Sequence, residues 1–332
     1  MYIKLSFIPK KISLTAIGGL LVLITISLSL LLPHNTYAAV PGWNAGNIVS
    51  DAVFTDKGTM DTTQIQQFLN SKVPTCDTWG TQTSEFGGGT RAQWGTAHGY
   101  PPPYTCLKDY VDNGKTSVQI IYDAAQEFAI NPKVLIVLLQ KEQGLVTDTW
   151  PLSIQYRSAT GYGCPDTAVC DSQYYGLTNQ IRWSARMFRA IMNASPTWYT
   201  PYLVGDNYIQ YNPDQSCGGS NVIIQNRATQ SLYNYTPYQP NQGALDSGWG
   251  TAYCGAYGNR NFYLYFTDWF GSTQDNSPLV VSPITPSTYL AGTGQPINVS
   301  YTVRNPSSYP IVVPTIGVRQ PTERCLLRLW HY

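Results

Sequence analysis

The stretch from Asn131 to Gly144 restricts this 332-residue chain more than any other. Asn131 can cap a helix, Pro132 suits a first helical position, and Gly144 suits the residue after a last turn. Between them Val134-Leu135-Ile136-Val137-Leu138-Leu139 is apolar on every face. A helix with no polar side has to be surrounded by other elements, so the fold must wrap this one. Candidates for the wrapping are legible nearby. Residues 116–129 place Val118, Ile121, Ala125 and Phe128 at helical spacing, and Thr116 with Gln119 resembles a capping box. Residues 175–193 do the same with Leu177, Ile181, Ala185, Phe188 and Met192, while Arg182, Arg186 and Arg189 share the other side and read as a solvated face. A shorter helix over 61–72 carries Ile65, Phe68 and Leu69, and residues 259–271 read as a closing helix or buried segment.

Residues 1–38 read as a secretory signal. Lys4, Lys10 and Lys11 precede an apolar run over 12–32, and Thr36-Tyr37-Ala38 forms a small-residue cleavage motif. The other reading is an uncleaved anchor, the one case in which a membrane is a partner. Export changes what the seven cysteines mean, because exported chains pair them. Chain neighbours suggest Cys76–Cys106, Cys164–Cys170 and Cys217–Cys254, with Cys325 left over. The formal net charge is +1, and only 12% of residues are charged, so a nucleic-acid partner is not expected. Aromatics reach 13%, which excludes a long disordered tail. Of the three histidines, His34 lies in the signal and His331 at the end, leaving His98 alone in the body, in a glycine-rich loop where a structural or exposed role is expected. Zinc hydrolases and Cys–His enzymes need more than this, so no metal and no cofactor is expected. Catalysis here would rest on carboxylates.

Four segments follow: the signal at 1–38, a loop-rich N-terminal subdomain at 39–114, a helical domain at 115–272, and a C-terminal segment at 273–332. In the last, Ile297, Val299, Tyr301 and Val303 alternate with polar residues as a strand does. It reads as part of an immunoglobulin-like β-sandwich, which needs about 100 residues. Residues 323–332 break the pattern and read as an altered or truncated end. The fold class is mainly α (α+β).

Glu142 stands out as a candidate acid. It sits in the last turn of the buried helix, where the helix dipole and apolar surroundings both disfavour a charged carboxylate. A carboxyl group kept protonated can donate to a glycosidic oxygen. The bland reading is a solvent-facing glutamate at a helix end. Asp148 and Asp166 are candidates for a second carboxylate, although Asp166 after Pro165 also suits an Asx-type turn. Tyr156, Tyr162, Tyr174 and Tyr175 flank the expected groove, and Tyr162 and Tyr175 are the candidates for packing against sugar rings.

Residues 130–144, Ile-Asn-Pro-Lys-Val-Leu-Ile-Val-Leu-Leu-Gln-Lys-Glu-Gln-Gly, resemble the catalytic-helix motif of the lysozyme-like superfamily, which includes lytic transglycosylases, goose-type lysozymes and bacterial glucosaminidases. Gly176-Leu177-Thr178-Asn179-Gln180 is similar to the downstream groove element of that family. Gln143 stands where transglycosylases have Ser, and the Cys164/Cys170 insertion lengthens the interval between the two motifs. The resemblance implies a lysozyme-like helical domain with Glu142 as general acid/base and Gln180 in the groove. It further implies that a lone carboxylate suffices where the substrate's own N-acetyl group and 6-hydroxyl replace nucleophile and water. The chain is also similar to exported cell-wall proteins of Gram-positive-type bacteria, some labelled haemagglutinin-like. The expected activity is cleavage of β-1,4 bonds between N-acetyl sugars in peptidoglycan or another cell-wall glycan, outside the cell. Substrate contacts are expected from Gln180, Tyr162, Tyr175 and Asp166. The alternative is a wall-binding protein or adhesin that keeps the fold without turnover.

Overall fold

The computed structural model describes residues 40–165, 168–195 and 200–274, together with strand residues 280–281, 285–286, 299–300 and 303–304. The expected signal, Asp166, Cys325 and His331 lie outside the described residues.

In chain order the helices are α1 (Asp51–Thr55), α2 (Thr62–Lys72), α3 (Arg91–Ala97), α4 (Ser117–Phe128), α5 (Pro132–Gln143), α6 (Ser153–Arg157), α7 (Leu177–Met192), α8 (Arg227–Tyr235), α9 (Gln242–Asp246) and α10 (Gly258–Phe270). Two antiparallel hairpins interrupt them: β1 (Val111–Asp112) with β2 (Lys115–Thr116), and β3 (Gly205–Gln210) with β4 (Gly219–Ile224). Helix α5 is the axis of the molecule. Val134 to Leu139 are at most 1% exposed, and each such side chain contributes about 1.5–3 kcal/mol. α10 and α4 pack against it, α4 in turn meets α7 and α2, and α7 meets α8. Ile48, Phe54, Ile65 and Leu69 join this same core, so it runs unbroken across position 114.

The caps explain why the helices start where they do. Asn131 accepts from the Lys133 amide at 2.9 Å, and Gly144 closes α5 in the left-handed region at φ 69°. Thr116 accepts from the Gln119 amide at 3.2 Å, but the Gln119 side chain turns to Asp123, so only half of the expected capping box forms. α4 ends on Ala129, also left-handed at φ 47°. Arg189 donates to the carbonyls of Phe128 and Ala129 there. That corrects the solvated reading of the arginine row. Arg182 pairs with exposed Glu127 and Arg186 lies 4.7 Å over the Trp183 ring, but Arg189 holds a helix end, because the left-handed turn aims two carbonyls at it.

Three disulfides link Cys76–Cys106, Cys164–Cys170 and Cys217–Cys254, the pairs suggested by chain neighbours. Most of the C-terminal segment, where part of a sandwich is expected, lies outside the described residues. Among the described residues it contributes two short antiparallel pairs: β5 (Val280–Val281) with β8 (Val303–Arg304), and β6 (Thr285–Pro286) with β7 (Val299–Ser300). No immunoglobulin-like sandwich is shown among the described residues. No helix among the described residues is long and apolar enough to cross a membrane.

Candidate functional site

The last turn of α5 places three polar side chains in succession. Gln140, buried, accepts from the Val146 and Thr147 amides and donates to the Thr147 hydroxyl at 2.9 Å, which folds the chain back after Gly144. Lys141 keeps 2% of its side chain exposed, and its Nζ reaches the Glu142 carboxylate, the Thr236 hydroxyl at 2.9 Å and the face of Tyr235. Glu142 retains 25% exposure. It is neither free in bulk solvent nor sealed in the core. Beside the apolar helix that the sequence places around Glu142 stands a buried ammonium in contact with it.

Opposite Glu142 stands the loop 160–162. Gly161 has φ +74°, and a Cβ there would come within 3.4 Å of Glu142 Oε2, so glycine serves both the backbone and the space. Gln180 organises this loop. Its Oε1 accepts from the Thr160 and Tyr162 amides, each at 3.1 Å, and its Nε2 donates to the carbonyls of Tyr162 (2.9 Å) and Tyr174 (2.8 Å). Gln180 is fully buried, and a buried amide must be hydrogen-bonded. It therefore holds the wall of the site and has no open atom for a sugar, which corrects its expected groove contact. Tyr235 donates to the Thr160 carbonyl at 2.6 Å. Burial first, and then the charge of Glu142, push its phenol far above the ordinary value, so it stays a donor.

The tyrosines divide. Tyr162 is 7% exposed and packs with Met187, Ile191, Tyr174 and Trp183, so it backs the loop and offers no open stacking face. Tyr175 is half-buried, donates to the Cys170 carbonyl at 3.1 Å and has the Arg157 guanidinium 5.0 Å over its ring. Tyr156 belongs to the core, stacked 3.6 Å from Tyr110. The structure thus gathers Glu142, Gln180 and Tyr162 around one loop, and leaves Tyr175 on the Cys164–Cys170 loop.

On the other side of the helix end lies a cleft of about 500 Å³, lined by Glu85, Phe86, Arg91, Trp94, Asp148 and Trp150. Gly144 and Gln155 also face it, and Glu142 does not. Arg91 braces the cleft, donating to Glu85 (3.2 Å), Gln82 (3.0 Å), Thr149 (3.0 Å) and, at 3.4 Å, Asp77. Trp150 donates its indole N–H to Glu85 at 3.0 Å. Burial works against charge on Asp77, yet the Thr81 and Gln82 amides, the Thr81 hydroxyl and Arg91 outweigh it and hold the carboxyl below its usual range. Glu85 is likewise held low: burial opposes its charge, and hydrogen bonds from its own amide, Trp150 and Arg91 prevail. His98 is exposed, stacks on Trp94 at 4.0 Å and lies 2.7 Å from the Trp94 carbonyl, in keeping with the structural role expected. Of the cleft residues, sequence reasoning had singled out only Asp148. Thr90 and Gln93, a capping box, were the available signal for α3, the helix that carries Arg91 and Trp94.

A family model described as the LasA N-terminal domain matches residues 47–279, more than two thirds of the chain. The chain belongs to the LasA N-terminal domain family. LasA is a secreted staphylolytic peptidase. A domain shared with a secreted protein and three disulfides fit an extracellular, oxidising location for this family member. No curated protein and no solved structure matches the chain.

Proposed function

We propose that this chain is an exported protein that acts on cell-wall glycan, with Glu142 as general acid/base in cleavage of a β-1,4 bond between N-acetyl sugars. The LasA name supports the cell-wall part of this reading. The similarity of residues 130–144 to the lysozyme-like catalytic helix supports the glycosidase part. One structural observation carries it: Glu142 closes a helix buried from Val134 to Gln140, faces the Gly161 loop, and keeps a quarter of its side chain open. Chemically, Glu142 gives its proton to the glycosidic oxygen as the C–O bond breaks, and takes one back from the hydroxyl that attacks next. That hydroxyl belongs to water in a hydrolase, or to the sugar's own 6-position in a transglycosylase. Proton delivery requires the carboxyl group to leave the Lys141 ammonium when a sugar enters.

The contact between Lys141 and Glu142 favours a second reading, a wall-glycan binder that keeps the ion pair as structure and turns nothing over. Muropeptide release from purified peptidoglycan, followed by mass spectrometry, separates the two. The first reading expects release by the parent protein, about 10²–10⁴-fold slower release by Glu142→Gln, and either a reducing or an anhydro end. Equal rates in parent and variant, or wall binding without any release, would make the binder the better description.

A further inference from the structure

We propose that the cleft beside the end of α5 is a binding subsite for an uncharged N-acetylhexosamine unit, with Phe86 as its open stacking face. The identity of the sugar rests on the cell-wall reading above; the argument for a ring stacked on Phe86 and against an anionic ligand does not.

The dimensions suit a small ligand. About 500 Å³ falls within the roughly 300–1,000 Å³ range of small-molecule sites. Phe86 is 65% exposed although its ring centroid lies 4.9 Å from Trp94 and 6.0 Å from Trp150. An aromatic cluster whose outermost ring stays open offers a surface for the C–H face of a pyranose. Around it stand groups suited to hydroxyls. The Glu85 side chain is 50% exposed, its Oε1 accepting from Trp150 and its Oε2 from Arg91, and the carboxylate keeps acceptor capacity towards the cleft. Asp148 accepts from the Trp150 amide and from Gln155 Nε2, both at 2.8 Å, and Gln155 Nε2 also bonds the Gln143 carbonyl at 2.8 Å.

Charge selects among ligands. Two carboxylates and one guanidinium line the cleft, and the guanidinium is already engaged by Asp77, Glu85, Gln82 and Thr149. A phosphate-bearing wall polymer would meet net negative charge with no cation to receive it. An amine would be attracted by the net negative charge and opposed only locally by Arg91, 5.3 Å over Trp150, so charge disfavours anions, and the open aromatic face is what favours a sugar ring. The walls are also rigid before binding: the Asp77 amide donates to the Thr149 carbonyl at 2.7 Å, and Cys76–Cys106 ties the loop base, so little ordering remains for the ligand to impose.

The test is titration of the full chain with chitotetraose, read by tryptophan fluorescence and calorimetry, for the parent, Phe86→Ala, Trp94→Ala and Glu142→Gln. The expected result is saturable binding by the parent, about 3- to 10-fold weaker binding by Phe86→Ala, and saturable binding still present in Glu142→Gln, where turnover is removed. Phe86 is exposed, so its variant keeps the fold, checked by thermal melting, even where Trp94→Ala does not. Absence of sugar binding, sugar binding indifferent to Phe86, or Phe86-dependent binding of a lysine-containing stem peptide in place of sugar each overturns the subsite. Glu142-dependent lysis without a Phe86 effect removes the subsite and leaves the glycosidase reading standing. Phe86-dependent binding without lysis does the reverse.

Discussion

The two ends of α5 are built from different chemistry. At the start, Asn131 is 1% exposed and fully engaged: Oδ1 accepts from the Lys133 amide (2.9 Å) and the Thr59 hydroxyl (2.6 Å), Nδ2 donates to the Val53 carbonyl (2.7 Å), and its amide donates to the Phe54 carbonyl (2.9 Å). At the finish, a buried lysine and a quarter-open glutamate face a loop, with an aromatic cleft nearby. Stability is concentrated where every polar atom has a fixed partner. The other end keeps a charged group partly open to solvent.

Substitutions should pull the two ends apart. The largest effect is expected from Glu142→Gln: peptidoglycan release falls by about 10²–10⁴, equivalent to about 3–5 kcal/mol, while denaturation shows a change of about 1 kcal/mol or less, because the amide oxygen still accepts from Lys141. A collapse of stability in this variant would place Glu142 with Asn131 as a structural residue. Next comes Gln180→Ala, which leaves the Thr160 and Tyr162 amides without their buried acceptor and costs about 2–4 kcal/mol in urea unfolding. Release should fall as well, since the Gly161 loop loses its support; full activity would show that this loop is not part of the site. Asn131→Ala is expected to cost about 2–3 kcal/mol through the lost cap and the orphaned Val53 carbonyl, with activity per folded molecule unchanged.

Acid supplies the smallest effect. The Asp77 carboxyl lies below its usual value in the folded protein, so its contribution to stability is complete above about pH 4 and is lost as pH falls through the lower, folded value. Unfolding free energies measured from pH 6 down to pH 2 should decline in that acid window, and Asp77→Asn should flatten the decline. An unchanged slope would remove Asp77 from the acid response.

Much of the helical framework was legible from the chain. The punctuation of α5 and the spacing in α2, α4 and α7 follow from local patterns, whereas the cysteine pairs, two of them 30 and 37 residues apart, match the order suggested by chain neighbours without any local signal fixing it. Helix α8 was not legible: Ala228, Leu232 and Tyr235 stand at helical spacing, but the buried polar residues Thr229, Gln230, Ser231 and Asn234 dilute that stripe to three residues. β3 and β4 were missed because Gly, Asp and Asn are poor strand formers; their ladder is held by cross-strand pairing and by Gln239, which donates to the carbonyls of Ile209 (2.8 Å) and Ser220 (3.0 Å). Arg189 looked solvated because its partners, two carbonyls, leave no mark in side-chain composition.

By itself, the sequence determined that the apolar run Val134–Leu139 would be enclosed, where its helix would start and stop, and that Glu142 would stand in the last turn. Those outcomes depend on side-chain periodicity and backbone preference over a few residues. Only tertiary structure decided that a buried Lys141 would meet Glu142, that Gln180 would face inward, and that Glu85, Trp94 and Trp150 would share a cleft. Such contacts join residues up to 65 positions apart, as between Glu85 and Trp150, and their energies depend on burial that no local pattern encodes.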